Sequence, residues 1–106
     1  MSSPLDVELT SILRVVGLRD PLARFAQAMQ LVLEANDHKR GWEHATTAYL
    51  LRRLKQELGE LERALNDKTV TTARIIHEAA DVANFCMMIA DNALEDSRAK
   101  TLEESS

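Results

Sequence analysis

Residues 50–65 read LLRRLKQELGELERAL and residues 78–91 read EAADVANFCMMIAD. At about 100° per residue, Leu50, Leu54, Leu58, Leu61, Ala64 and Leu65 share one arc, so the first stretch predicts an amphipathic helix with a core-facing leucine stripe. The second is nearly apolar all round from Ala79 to Ala90, with Asp81 the one ionisable acid in that span, the pattern of a helix buried on most sides. Each helix carries an acidic pair at i, i+3: Glu57 with Glu60, and Glu78 with Asp81. This spacing puts both carboxylates of a pair on the same side of a helix. Two such pairs facing each other across a helical hairpin offer four hard oxygen ligands, a set that suits Mg²⁺ or Mn²⁺.

Context separates these pairs from ordinary surface acids. Glu57 falls inside the edge of the leucine arc, between Ala64 and Leu50 in angle, and Glu60 sits just outside it. A carboxylate buried without a partner is costly and tends to neutralise, so Asp81 calls for a cation, a metal or a hydrogen-bond donor beside it. The plainer reading is that Arg53, four residues before Glu57, and Arg74, four before Glu78, make helix-surface ion pairs, each contributing about 0.2–0.5 kcal/mol. A third pair, Glu34 and Asp37, ends a helix with no matching partner, so spacing alone does not define a site. The expected burial of Glu57 and Asp81 favours the metal reading.

The segments Leu54-Lys-Gln-Glu-Leu-Gly-Glu-Leu61 and Glu78-Ala-Ala-Asp-Val-Ala-Asn-Phe85 resemble the MazG-like all-α nucleoside triphosphate pyrophosphohydrolases. The signature of that family is Glu-x-x-Glu, a short connection, then Glu-x-x-Asp, and here 17 residues separate Glu60 from Glu78. The match covers roughly residues 41–92. The resemblance implies an all-α, four-helix bundle that forms a homodimer or a tetramer of dimers. It also implies Mg²⁺-dependent hydrolysis of a (d)NTP to the monophosphate and pyrophosphate. Carried over position by position, the catalytic and metal-binding residues are Glu57, Glu60, Glu78 and Asp81. Many members carry a second Glu just before the first ligand, where this chain has Gln56. If that Glu orients the attacking water, this chain is slower or uses another base; Glu60 is a candidate.

The 106 residues make one domain, large enough for a core and small enough to gain from oligomerisation. With 45% hydrophobic and 28% charged residues the chain is globular, and three Gly and two Pro among many Leu, Ala and Glu favour helices. A net charge of −4 argues against a general nucleic-acid partner. It does not exclude a nucleotide substrate, because a bound divalent ion reverses the local sign of an acidic site. No apolar run reaches the length of a membrane span and no secretory signal precedes the first helix, so no membrane partner is expected. The single cysteine, Cys86, lies mid-helix among apolar residues and is expected in the core, with a reducing cytoplasm as the natural setting.

Ser3, Pro4 and Asp6 open a first helix that places Leu5, Leu9, Ile12, Leu13 and Val16 on one face and stops at Gly17. Asp20-Pro21 repeats the start signal, and Leu22, Phe25, Ala26, Met29 and Leu33 follow at helical spacing to near Asn36. Residues 37–44, DHKRGWEH, are the most chemically loaded connection. Trp42 can stack on a nucleobase and Lys39 or Arg40 can meet phosphate oxygens; alternatively Trp42 caps the core and the basic residues are solvated. His38 and His44 lack the spacing of a zinc site. Thr46 or Thr47 caps the next helix, which runs to about Asn66, with Arg53 beside both of its acids and Gly59 on its back face. Thr71 or Thr72 caps the last, which runs to about Leu94. On it, Asn84 can reach substrate or satisfy a buried contact, and His77 falls on the polar side. Phe85, Met87, Met88 and Ile89 present more apolar surface than one hairpin covers, which a homodimer would remedy. The domain is thus expected over residues 1–95, followed by a polar, disordered tail over 96–106.

Together these features predict an Mg²⁺-dependent nucleoside triphosphate pyrophosphohydrolase for nucleotide-pool housecleaning. Glu57, Glu60, Glu78 and Asp81 would hold the metal, and Trp42, Lys39, Arg53 and Asn84 the substrate. A carboxylate-bridged di-iron bundle needs Glu-x-x-His pairs, and this chain has Glu60 and Asp81 where the histidines belong. A non-catalytic helical dimerisation module that keeps the fold is the alternative of a different class.

Overall fold

The computed structural model describes residues 17–36 and 41–105, which form three α-helices: α1 (Asp20–Ala35), α2 (Thr47–Asn66) and α3 (Thr72–Ser105). The expected first helix, over residues up to 16, and residues 37–40 of the next connection, Lys39 among them, lie outside the described residues. The described part is all-α, without strands. None of its helices is long and apolar enough to cross a membrane.

Local chemistry accounts for the helix ends. Pro21 sits in the first turn of α1, whose N-cap is Arg19 rather than Asp20, and at the other end Asn36 Nδ2 donates to the Val32 carbonyl at 3.0 Å. Thr46 Oγ1 accepts from the Tyr49 amide at 3.1 Å and starts α2. Thr71 Oγ1 does the same for the Arg74 amide at 3.1 Å and starts α3. Between them, Asp67 Oδ1 accepts from the Thr69 amide at 2.9 Å and the Thr69 hydroxyl at 2.8 Å, closing a tight Asx-type turn. These two bonds hold the Asp67 carboxyl below its ordinary pKa.

α3 is the central element, with both α2 and α1 packed against it. Among the described residues the buried apolar ones are Val32 on α1, Leu50 and Ala64 on α2, and Ala80 on α3. Asn84 joins them as a buried polar residue, its Nδ2 donating to the Met29 carbonyl of α1 at 3.1 Å while its Oδ1 meets no partner among the described residues. Asn84 thus ties α1 to α3.

Three expectations need correction. Leu58 and Leu65, placed on the core stripe of α2, are exposed. The packed line is instead Leu50, Glu57 and Ala64, one heptad apart, because α2 turns its acid-bearing edge rather than the centre of its leucine arc toward α3. Cys86 is exposed, not core: it lies about 200° round the helix from the buried Asn84. Finally, α3 does not stop near Leu94 but continues to Ser105, through most of the tail expected to be disordered. No Gly or Pro interrupts residues 95–105, Arg98 pairs with Glu95 at 2.9 Å, and Thr101 Oγ1 donates to the Ser97 carbonyl at 3.1 Å. The 34 residues of α3 span about 51 Å at 1.5 Å per residue, nearly the whole 56 Å long axis of the molecule.

Candidate metal centre

The rotation that exposes Leu58 carries Glu57 onto α3. There one carboxylate oxygen each from Glu57, Glu78 and Asp81 lies within 4.8 Å of the others. The side chains are 15%, 13% and 21% exposed. Glu78 and Asp81 come from one face of α3 by their i, i+3 spacing, and Glu57 meets them from α2. Glu60 is not drawn in: its carboxylate accepts from Arg63 Nη2 at 2.6 Å, and its side chain is 44% exposed. It shares an open groove along α2 with Arg53, Gln56, Glu57 and Arg63. Three of the four acids singled out by the sequence therefore converge, and the fourth flanks them.

Each acid of the trio has a basic neighbour one turn earlier on its own helix. Arg53 Nη2 donates to Glu57 Oε1 at 3.0 Å, Arg74 Nε stands 3.9 Å from Glu78 Oε1, and His77 Nε2 is 3.3 Å from Asp81 Oδ2. Arg53 is the most constrained of these. It also donates to Gln56 Oε1, and its guanidinium lies 5.3 Å from the Phe85 ring centroid on α3. His77 and Phe85 were not singled out from the sequence as site residues. The signal for His77 was present in its i, i+4 spacing to Asp81. Phe85 meets Arg53 only across the helix pair, which no local spacing reveals.

Arg53 does not restore Glu57 to ordinary carboxylate behaviour. Burial, then the Asp81 charge, then that of Glu78 push the Glu57 pKa above its ordinary value, and the opposing pull of Arg53 does not cancel them. Burial is the largest of these causes, with the two neighbouring carboxylates adding to it. A divalent cation offsets the cost of ionising Glu57. Oxygens on opposite sides of a small divalent ion are about 4–5 Å apart, so the spread of at most 4.8 Å among the three donors fits such an ion.

The remaining substrate candidates lie elsewhere. Trp42 Nε1 donates to Asp91 Oδ2 at 3.0 Å, and the Trp42 carbonyl accepts from Asn92 Nδ2 at 3.0 Å. This clasp fixes the connection ahead of α2 to α3 ten residues beyond Asp81, about 15 Å along the axis. Asn84 is committed to α1 through Met29, and Lys39 is outside the described residues. Arg53 is the one candidate held directly against the acid trio. No protein-family model, curated protein or solved structure matches this chain.

Proposed function

We propose that this chain is a Mg²⁺-dependent nucleoside triphosphate pyrophosphohydrolase acting as a homo-oligomer, with Mn²⁺ an alternative ion. The observation that carries this reading is the meeting of the Glu57, Glu78 and Asp81 carboxylates across α2 and α3. It is joined by the resemblance of both acidic segments to the MazG-like pattern. The donor set is all carboxylate, which favours a hard cation over zinc or iron. When bound, the ion would neutralise charge on the triphosphate oxygens and lower the pKa of a bound water.

The chain's own groups divide the remaining work. Glu57, Glu78 and Asp81 would hold the cation. Arg53, oriented by Gln56, Glu57 and the Phe85 face, presents a fixed guanidinium to phosphate oxygens, whose geometry it matches in a bidentate way. Glu60, in the same groove, can accept a proton from the attacking water once it turns from Arg63. The family likeness implies attack at the α-phosphorus: the water oxygen bonds to that phosphorus, the α–β anhydride bond breaks, and pyrophosphate leaves. The role would be housecleaning of the nucleotide pool. The test is pyrophosphate release from a panel of (d)NTPs with Mg²⁺, with Mn²⁺ and with chelator. Metal-dependent formation of the monophosphate and pyrophosphate supports the reading, and release of orthophosphate overturns it.

Two observations favour the non-catalytic helical module instead. Arg53, Arg74 and His77 already stand beside the three acids, and Gln56 takes the place of the additional Glu common in the family. Titration of the wild-type protein with Mg²⁺ or Mn²⁺ separates the two, because the module requires no metal binding.

A further inference from the structure

The groove along α2 that begins beside Glu57 continues over Gly59 to Lys55 and Arg63. Lys55 and Arg63 stand four residues to either side of Gly59, about one turn each way, so two cations flank a stretch with no side chain between them. Glycine weakens a helix interior, and no packing among the described residues calls for it. A Cβ at position 59 would meet only the Arg63 guanidinium, at 3.7 and 3.8 Å, an ordinary contact. Lys55 forms no ion pair among the described residues. Arg63 pairs with Glu60 at 2.6 Å, with the two side chains 66% and 44% exposed. Exposed pairs of this kind are weakly held, whereas a guanidinium meets phosphate through two parallel charge-assisted hydrogen bonds. We propose that Arg63 is a latch on Glu60: in the substrate-free protein it holds that carboxylate away from the acid trio, and a polyphosphate chain lying over Gly59 takes Arg63 and releases Glu60.

Geometry and charge agree on this. Glu60 lies three residues after Glu57 on the same side of α2, so rotation of its side chain, without backbone movement, turns it toward the trio. In the substrate-free protein that rotation would bring a fourth carboxylate to three already close together, which like charge opposes, and would cost Arg63 its partner. With a divalent ion in the trio and phosphate oxygens on Arg63, neither objection remains. Lys55 supplies the contact on the other side of Gly59. A triphosphate thus completes the site that it enters, and a monophosphate, with nothing beyond the phosphate at the trio, does not. The latch rests on the metal-centre reading above and adds to it a dependence of Glu60 on the substrate's own phosphates.

Calorimetric titration of the full chain with Mn²⁺ alone, without nucleotide, tests it, with circular dichroism to verify folding. E60Q should bind Mn²⁺ as wild type does, because Glu60 is latched away. R63M should bind it about tenfold more tightly, and R63M/E60Q should return to the wild-type value. That return separates the latch from simple loss of a positive charge, whose effect would persist in the double variant. The phosphate half is read by titrating Mg²⁺-tripolyphosphate in an E60Q background, where no latch remains. There R63M and K55M should each weaken binding about tenfold. R63M that binds Mn²⁺ no better than wild type, a gain that survives in R63M/E60Q, or tripolyphosphate binding indifferent to R63M overturns the latch while leaving the metal centre in place. If neither wild type nor R63M binds Mn²⁺, the metal-centre reading falls and the latch falls with it.

Discussion

Burial and the neighbouring Asp81 and Glu78 charges keep the Glu57 proton bound to a higher pH than an ordinary glutamate holds it. The folded state therefore binds more protons than the unfolded chain just above the ordinary value of 4.5. In metal-free protein, this group's contribution to stability rises as pH falls through the elevated pKa and levels off below 4.5. Metal binding has the opposite sign, because the cation competes with that proton, so affinity should fall as pH drops through the same range. Calorimetric titration of Mn²⁺ from neutral pH down to the ordinary glutamate value of 4.5 measures it, and an affinity independent of pH over that range contradicts the assignment of Glu57 as a ligand. Asp67 behaves in the conventional direction: its lowered pKa stabilises the fold above the ordinary value of 3.8, and the benefit is lost as pH falls through the depressed one. Within the trio, E78Q and D81N should each reduce pyrophosphate release on the order of 100-fold or more. E60Q should cost less, because Glu60 stands outside the trio and pairs with Arg63. Equal losses at all four acids would show that Glu60 turns inward when the ion binds.

The elements owe their positions to a few contacts that can be removed one at a time. Leu50 is the largest fully buried side chain, and L50A should cost about 2–5 kcal/mol by chemical denaturation. T46A removes the cap on the Tyr49 amide and should cost about 1 kcal/mol. The clasp from Trp42 to Asp91 and Asn92 anchors the connection before α2. W42F, which keeps the ring and deletes the donor, should destabilise by about 1–3 kcal/mol because Asp91 loses a bond to its carboxylate. If Trp42 instead served mainly to stack on a base, W42F would change KM and leave stability unaltered.

For the whole molecule, a ligand held only by the folded state raises stability by mass action. Mg²⁺ or Mn²⁺ at about 100 times its Kd should add roughly 2.7 kcal/mol to wild type. The same addition should do nothing for a D81N variant, read as the shift in thermal midpoint. In metal-free solution at pH 7, E57Q should be at least as stable as wild type, since it removes a charge that its surroundings disfavour. The distal part of α3 contributes little to the core, as residues 93–104 are exposed throughout. Removing residues 97–106 should leave the thermal midpoint within about 2 °C.

The helical class, the boundaries of α2, a threonine cap at 46 or 47 and at 71 or 72, and the pairing of acids on each helix were all legible in the sequence; the structure selects Thr46 and Thr71. They depend on interactions within a turn or two of chain, where propensity, capping and 3.6-residue periodicity act. The full length of α3 departs from the expectation because polar residues without a breaker extend an exposed helix rather than fray it. Tertiary structure decided the rest. A leucine arc as wide as that of α2 can turn either of its edges toward a neighbour, and periodicity does not say which. Contact with α3 selected the edge carrying Glu57, which gathered three of the four acids, left Glu60 to Arg63, and exposed Leu51, Leu58 and Leu65. Which side of α3 received α1 and α2 likewise placed Cys86 outside and Asn84 inside. A helix rotated by a fraction of a turn keeps all of its local interactions and changes every residue it presents to a partner, so only packing between helices fixes which acids meet.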